Sequence, residues 1–228
     1  MLRKWDNIPE FMRNAEVKYY WELLMKKRRQ LAIKRMFDIV ASAIFLLVLA
    51  IPMLIIAISI RLNSEGSVFY RQERVTAYGK RFRIHKFRTM ISNADKVGSQ
   101  ITTENDTRIT GIGQYLRKLR LDELPQLIDI FVGNMTFVGV RPEVPQFVEC
   151  YSNEMLATLL LPAGVTGEAC IKFNGIEQRI MEKSINIEKD YREIILPQKM
   201  KYNLKQISEF SLLQEVIILF KTVIAVIV

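Results

Sequence analysis

The feature that most constrains this chain is an apolar run over residues 39–60. It has roughly 22 residues without a charge, against the ~20 a helix needs to cross a hydrocarbon core of about 30 Å. Pro52 sits near its middle, where a proline removes one backbone hydrogen bond and kinks a helix. Both flanks are basic, with Arg28, Arg29, Lys34 and Arg35 before the run and Arg61, Arg71 and Arg74 after it. The positive-inside bias therefore points in neither direction. Two arrangements satisfy these facts: a kinked transmembrane helix, or a helix that dips into one leaflet, bends at Pro52 and returns to the face it entered. The run starts too far in, and is too long, for a cleaved signal peptide.

The rest of the chain has to be mostly globular. Half of its 228 residues are hydrophobic and a quarter are charged, which excludes a disordered chain and a multi-pass bundle. A net charge of +9 favours anionic partners: nucleic acid, lipid headgroups or phosphorylated substrates. Cys150 and Cys170 are the two cysteines and form no metal-binding spacing or disulfide framework, which fits a reducing cytosol. His85 is the single histidine, so zinc chemistry and Ser-His or Cys-His pairs are disfavoured, and a surface or packing role suits it better. Catalysis must then rest on carboxylates, Lys, Arg or a bound metal ion.

The expected fold is α+β and mainly helical, in three parts. Residues 1–30 form an amphipathic preface, with Tyr19, Tyr20, Leu23 and Leu24 at helical spacing; residues 31–62 form the membrane helix; residues 63–228 form a catalytic domain. Within that domain Val68-Phe69-Tyr70 and Phe82-Arg83-Ile84 read as short strands, 91–96 as helix and 102–110 as loop. Two helices follow over 113–119 and 122–132, the second with Asp122 as N-cap, Pro125 in its first turn and Gly133 at its end. Further helices are expected over 147–161 and 187–196, separated by a loop at 162–167. The nearly uncharged stretch 215–228 is too short to cross a membrane, so it should lie along the membrane surface or pack on the core.

The sharpest chemical cluster is Leu116-Arg117-Lys118-Leu119-Arg120-Leu121-Asp122-Glu123-Leu124-Pro125-Gln126-Leu127. A carboxylate at a helix N-terminus stays ionised, and the same N-terminus with nearby Arg attracts phosphate. An ionised Asp, a phosphate and a divalent cation between them make the arrangement needed for carboxylate attack on phosphorus. In an arbitrary protein such an Asp-Glu step more often just caps a helix and pairs with an Arg. Lys80 to Arg88, with Lys86 among them, alternates cations and apolar residues, as a strand with one basic face would. Asn105-Asp106-Thr107-Arg108 is a polar loop that could contact sugar, nucleotide or metal, and Arg141, in a rigid Pro-rich loop, is suited to grip a phosphate.

These segments, in this order, resemble the bacterial sugar transferases, the monotopic polyprenyl-phosphate phosphoglycosyltransferases that begin exopolysaccharide, capsule and glycoprotein glycan assembly. The matching residues are Lys34-Arg35-Met36-Phe37-Asp38, Val68 to Arg74, Gly79-Lys80, Lys86 to Met90, Asn105-Asp106 with Arg108-Ile109-Thr110, Leu121 to Leu127, Arg141-Pro142 and Gly164 to Gly167. No one motif is specific, but the ordered set is. The resemblance implies that Asp122 attacks the β-phosphate of a UDP-sugar, that UMP leaves, and that polyprenyl (undecaprenyl) phosphate then takes the phospho-sugar. Glu123 would assist by positioning Mg²⁺, held by Asp122 and Glu123, or by acting on a proton. Arg117 and Arg141 match the family's phosphate-gripping arginines, and Lys86 and Arg88 join them. The resemblance also implies the re-entrant helix with its break at Pro52 and a place on the cytoplasmic face of the bacterial cell membrane. Partners would be membrane lipid and, as an option, a second copy in a homodimer, with no nucleic acid. The chain departs from the family pattern at Ile51, where Ser is usual, and at Val140, where Pro is usual.

Two rivals remain. A membrane-tethered protein binding anionic lipid or nucleic acid explains the charge and the anchor, but gives no reason for Asp-Glu among arginines and lacks interleaved aromatics for base stacking. A membrane phosphatase using Asp122 and water shares the covalent step, and only its product differs.

Overall fold

The computed structural model describes residues 2–92, 94, 106–173, 175–182, 184 and 186–227. The apolar run is broken in two: α2 (Arg28–Val48) and α3 (Ala50–Asn63) meet at Leu49 at an angle of 61°. The 14 residues of α3 rise about 21 Å, short of the ~30 Å core. Neither helix alone is long and apolar enough to cross a membrane, although the bent pair passes that test together. Pro52 is the third residue of α3. Its missing N–H thus falls in a first turn that has no intrahelical partner anyway, and the break itself lies three residues earlier. No side chain caps Leu49.

One face of α2 is polar and fastened to the globular part. Lys34 donates to the Val138 carbonyl at 2.8 Å and pairs with Glu215. Asp38, wholly buried, accepts from Thr136 Oγ1 at 2.6 Å and from the Phe137 N–H at 3.3 Å. Arg35 donates to the carbonyls of Ile130 and Phe131 in the last turn of α5 (Gln126–Val132). The opposite faces leave Met36, Val40, Leu47, Ile51, Leu54 and Ile55 exposed. The C-terminal helix α11 (Leu212–Ile227) repeats this plan, with Glu215 and Ile218 buried and Leu213, Phe220 and Ile224 exposed.

The preface is part of the core. Asn14 caps α1 (Ala15–Lys26) by accepting from the Val17 N–H at 2.8 Å, and Val17, Tyr20 and Leu24 fall on one buried stripe. They join Ile8, Met12, Leu160, Ile207 and Phe210 in a single cluster.

The strands are short. β1 (Phe69–Tyr70) pairs antiparallel with β4 (Lys86–Phe87), and β2 (Glu73–Val75) with β3 (Arg81–Arg83). β5 (Met135–Val138) runs parallel to β6 (Ala163–Thr166). This last strand occupies the segment expected as a loop, because Gly139 and Gly164 let two backbones touch: a Cβ on Gly164 would stand 2.2 Å from the Gly139 nitrogen.

The helix expected over 147–161 is two pieces, α6 (Pro145–Val148) and a 3-10 segment Met155–Leu160. Between them Ser152 Oγ accepts from the Met155 N–H, a local bond that competes with helix. The helix expected over 187–196 is longer. After α7 (Glu168–Lys172) and α8 (Ile176–Glu182), α9 (Ile187–Asp190) passes through a π turn, Tyr191–Ile195, into α10 (Leu196–Ser208). Of the helix expected over 91–96 only residues 91, 92 and 94 are described, and the first part of the loop over 102–110 lies outside the described residues.

Lys34 and Glu215 are both buried, so removing one partner strands the other, a cost of about 3–5 kcal/mol. Lys34→Met should therefore lower the thermal midpoint in detergent, and the double variant Lys34→Met/Glu215→Leu should recover most of the loss. No recovery would mean that the pair is not what joins α2 to α11.

Candidate functional site

Two interruptions of helix present the Asp-Glu step. α4 (Gly111–Lys118) is capped by Thr110, whose Oγ1 accepts from the Gly113 N–H at 3.1 Å. The helix stops because Arg120 takes a left-handed conformation, φ 56°, which residues with a Cβ seldom adopt. Leu121–Glu123 then forms a 3-10 turn, and α5 begins at Gln126 with Pro125 in the N-cap position. Asp122 is thus not the N-cap that the sequence pattern leads one to expect. It sits nearly a turn upstream, with its carboxylate free of the helix backbone.

Three further elements converge on the turn. Lys86 of β4 sets its Nζ 3.3 Å from Asp122 Oδ2 and 3.2 Å from Glu123 Oε1. Arg141, in the loop after β5, grips Glu123 with both arms, Nη2 to Oε1 at 2.6 Å and Nη1 to Oε2 at 3.3 Å. Its Nη1 also donates to the Val165 carbonyl of β6 at 3.2 Å. The parallel strand pair thereby fixes the arginine. Asp122 and Glu123 are only 6% and 9% exposed, so bulk water contributes little to solvating them.

The electrostatics divide the two carboxylates. Burial alone pushes Glu123 up, but Arg141 first, then Lys86 and Arg120, outweigh it and hold Glu123 well below the usual carboxylate range. The same pairing raises Arg141. Both oxygens of Glu123 are therefore committed. Asp122 meets only Lys86, and its Oδ1 has no partner among the described residues. Burial pushes the nearby Cys170 thiol up, so it stays protonated near neutral pH and does not offer a thiolate.

These groups line an open cleft of about 2080 Å³, well above the ~300–1,000 Å³ of a typical small-ligand pocket. Lys86, Arg88, Arg108, Arg117, Asp122, Glu123 and Arg141 all contribute to it. Their donors are used differently. Arg88 spends its terminal nitrogens on the Ser64 and Glu65 carbonyls at 2.7 Å each, so it ties the end of α3 to β4. Arg108 forms a bidentate pair with Asp106, Nε to Oδ1 at 2.8 Å and Nη2 to Oδ2 at 2.5 Å. Hydrogen bonding to Arg108 holds Asp106 below the usual range, with a smaller contribution from the charge of Arg117. The Arg117 side chain has no hydrogen bond or ion pair to another described residue, which leaves its guanidinium available to the cleft.

Sequence reasoning missed three features. Asp129, fully buried on α5, accepts from the His85 N–H at 2.8 Å and lies 2.9 Å from its Nδ1, so the lone histidine is anchored directly beside Lys86. Glu143, Tyr191 and Lys199 form a buried network, with the Tyr191 hydroxyl 2.6 Å from Glu143 and Lys199 3.0 Å from that hydroxyl. Gln126, in the sequence one residue of the Leu121 to Leu127 segment with no role of its own, lines the cleft with no side-chain partner among the described residues. No periodicity or spacing marks the first two, because each depends on residues far apart in the chain.

Among the described residues no group of three or more His, Cys, Asp or Glu side chains converges to hold a metal ion. Mg²⁺ asks less of a protein, since it takes one or two carboxylates and completes its shell with water and substrate phosphate. Asp122, with an unpaired oxygen in the cleft, fits that role. Glu123 fits it less well, because cations already hold both of its oxygens.

Residues 29–228 match the family model described as bacterial sugar transferase. The chain is 35% identical over 194 residues to the UDP-N-acetylgalactosamine-undecaprenyl-phosphate N-acetylgalactosaminephosphotransferase of Aeromonas hydrophila, covering 84% of this chain and 43% of that protein. It is 34% identical over 196 residues to the UDP-glucose:undecaprenyl-phosphate glucose-1-phosphate transferase of Escherichia coli (strain K12), covering 84% and 39%. It is 30% identical over 208 residues to the exopolysaccharide production protein ExoY of Rhizobium meliloti (strain 1021), covering 85% and 84%. The chain thus spans less than half the length of the first two relatives and most of the third.

Because the Arg141 side chain is 35% exposed, solvent screens its pair with Glu123. Glu123→Gln should then cost about 1–2 kcal/mol at pH 7 rather than the 3–5 of a fully buried pair. A depressed folded-state pKa stabilises above the unfolded value and loses that contribution as pH falls through the folded value. The stability gap between the native chain and Glu123→Gln should stay level from pH 7 to about pH 5, above the unfolded Glu value of ~4.3, and narrow only in stronger acid. Thermal melts across that range check it; a gap that closes between pH 6 and 7 would contradict the assignment.

Proposed function

The chain belongs to the bacterial sugar transferase family, and from that premise we propose that it moves a phospho-sugar from a UDP-sugar to polyprenyl phosphate through a covalent Asp122 intermediate. The observation that carries this reading is the division of labour between two adjacent carboxylates. Arg141 and Lys86 neutralise Glu123, while Asp122 keeps an unpaired oxygen in an arginine-lined cleft. A purely structural Asp-Glu step has no need of that asymmetry.

In the first step Asp122 Oδ1 attacks the β-phosphorus. The bond from that phosphorus to the bridging oxygen breaks, and UMP leaves with the oxygen and its electron pair. In the second step an oxygen of polyprenyl phosphate attacks the same phosphorus. The bond to Asp122 breaks, the carboxylate is regenerated, and the product is a polyprenyl-diphosphate sugar. Arg117, free for the cleft, and Lys86, within reach of both carboxylates, bind the diphosphate oxygens and offset charge that develops during transfer. Glu123 acts through Arg141 and Lys86, holding both cations at the edge of the reacting centre. Asp122 would hold Mg²⁺, which would supply positive charge that lessens the repulsion between the carboxylate and the diphosphate.

One substrate is soluble and the other is a lipid, so the site has to rest at a membrane surface. The bent pair α2–α3 and the exposed apolar side of α11 suit a chain that dips into one leaflet from the cytoplasmic face. The cleft also receives Phe45 and Leu49 from the bend itself, which gives a lipid phosphate an apolar approach.

Asp122→Asn should cut formation of polyprenyl-diphosphate sugar by at least about 10³-fold while membrane association is retained, as expected when a nucleophile is removed. Arg117→Ala should raise KM for the UDP-sugar more than it changes stability. Labelled-donor assays in nanodiscs with UDP-N-acetylgalactosamine and UDP-glucose check both. Near-normal turnover by Asp122→Asn would refute the mechanism, and release of free phospho-sugar without polyprenyl phosphate would favour a phosphatase.

A further inference from the structure

Gln126 is 1% exposed, and among the described residues neither its Oε1 nor its Nε2 has a hydrogen-bond partner. It nevertheless forms part of the cleft wall, four residues after Asp122 and three after Glu123, at the start of α5. Each orphaned buried group costs about 1–3 kcal/mol. A position of this shape filled only for packing would be better served by Met or Leu. Arg88 also has one orphaned atom on the cleft, its Nε, but its other donors are used. Among the buried described residues of the cleft, Gln126 is the one whose whole polar end is unanswered.

The chemistry of a carboxamide narrows the answer. It is neutral and presents an acceptor and a donor side by side. An ionised diphosphate offers acceptors alone and would leave Oε1 unpaired, and Lys86, Arg117 and Arg141 are better matched to it. A divalent cation would use Oε1 and leave Nε2 unpaired. A hydroxyl pair or an acetamido group answers both atoms together. The proposed transfer puts such groups next to Asp122, because the phosphorus it attacks carries the sugar, while the nucleoside lies beyond the leaving phosphate.

We propose that Gln126 is a sugar-positioning residue, whose carboxamide accepts from and donates to neutral polar groups of the donor sugar. The inference rests on the transfer reading above. Because Gln126 is 1% exposed, side chains in front of its amide have to yield to admit the sugar.

The test uses the full chain in nanodiscs, Gln126→Met and Gln126→Leu, and whichever of UDP-glucose and UDP-N-acetylgalactosamine the native chain turns over. Both variants should melt at or above the native midpoint, since they remove unpaired polar atoms. Their kcat/KM should fall about 10- to 100-fold, the loss expected for a hydrogen bond to substrate. With deoxy donors the native chain and the variants should converge to within about threefold at the position Gln126 contacts, the signature of direct coupling. UMP inhibition should be unchanged.

Equal kcat/KM for native and variant chains on every donor would overturn the proposal. So would a loss that extends to UMP, which would mark a nucleotide contact, or one cured by raised Mg²⁺, which would mark a metal ligand. Calorimetric binding to Asp122→Asn, with and without Gln126→Met, separates this claim from the mechanism. The claim predicts about tenfold weaker UDP-sugar binding with UMP binding spared, whether or not a covalent intermediate forms. Equal UDP-sugar binding there would reject the sugar contact alone.

Discussion

The site is organised around the grip of Arg141 on Glu123. Two carboxylates on neighbouring residues, both nearly shielded from water, would otherwise repel each other and drive one to take a proton. Arg141 satisfies both oxygens of one, and Lys86 bridges to the other. What remains is a single unclaimed carboxylate oxygen, on Asp122, facing a cleft with spare cations. The parallel strands β5 and β6 serve this interaction directly: Arg141 leaves the end of one and is anchored by the Val165 carbonyl of the other. Two glycines, at 139 and 164, permit that approach.

The same strand ties the site to the bent helix pair. Lys34 and Asp38 of α2 bind Val138, Thr136 and Phe137 of β5, and Arg35 closes the end of α5, the helix that follows Asp122. Buried polar contacts of this kind fix orientation more than they add stability. Sliding α2 by one residue would break all of them at once. The apolar bend is therefore held at a set distance from the carboxylates, as the proposed transfer from a soluble donor to a lipid acceptor requires.

Much of this was legible in the sequence, and the gaps have physical causes. The apolar run and Pro52 announce a bent helix, because length and a missing N–H are local properties. The Asp-Glu step among arginines announces the site, because charge density is also local. The break at Leu49 rather than Pro52 is not legible, since a proline is as comfortable in the first turn of a new helix as at a kink. Nor is the release of Asp122 from an N-cap, which follows from a left-handed Arg120 that no propensity predicts. Arg88 and Arg117 look alike in the sequence, yet one is tied to backbone carbonyls and the other faces the cleft. β6 reads as a loop because its partner strand lies far away in the chain. Gln126 stands in the sequence only as one residue of the Leu121 to Leu127 segment, because its meaning lies in the partners it lacks.

The central claim is that the unclaimed oxygen of Asp122 becomes bonded to phosphorus. The most direct test is peptide mapping by mass spectrometry after rapid acid quench of the native chain with a UDP-sugar and no polyprenyl phosphate. The account predicts a phospho-sugar mass increment on the peptide containing Asp122, discharged when polyprenyl phosphate is added before the quench. An increment on another residue, or UMP released only when polyprenyl phosphate is present with no adduct trapped at any time, would contradict it.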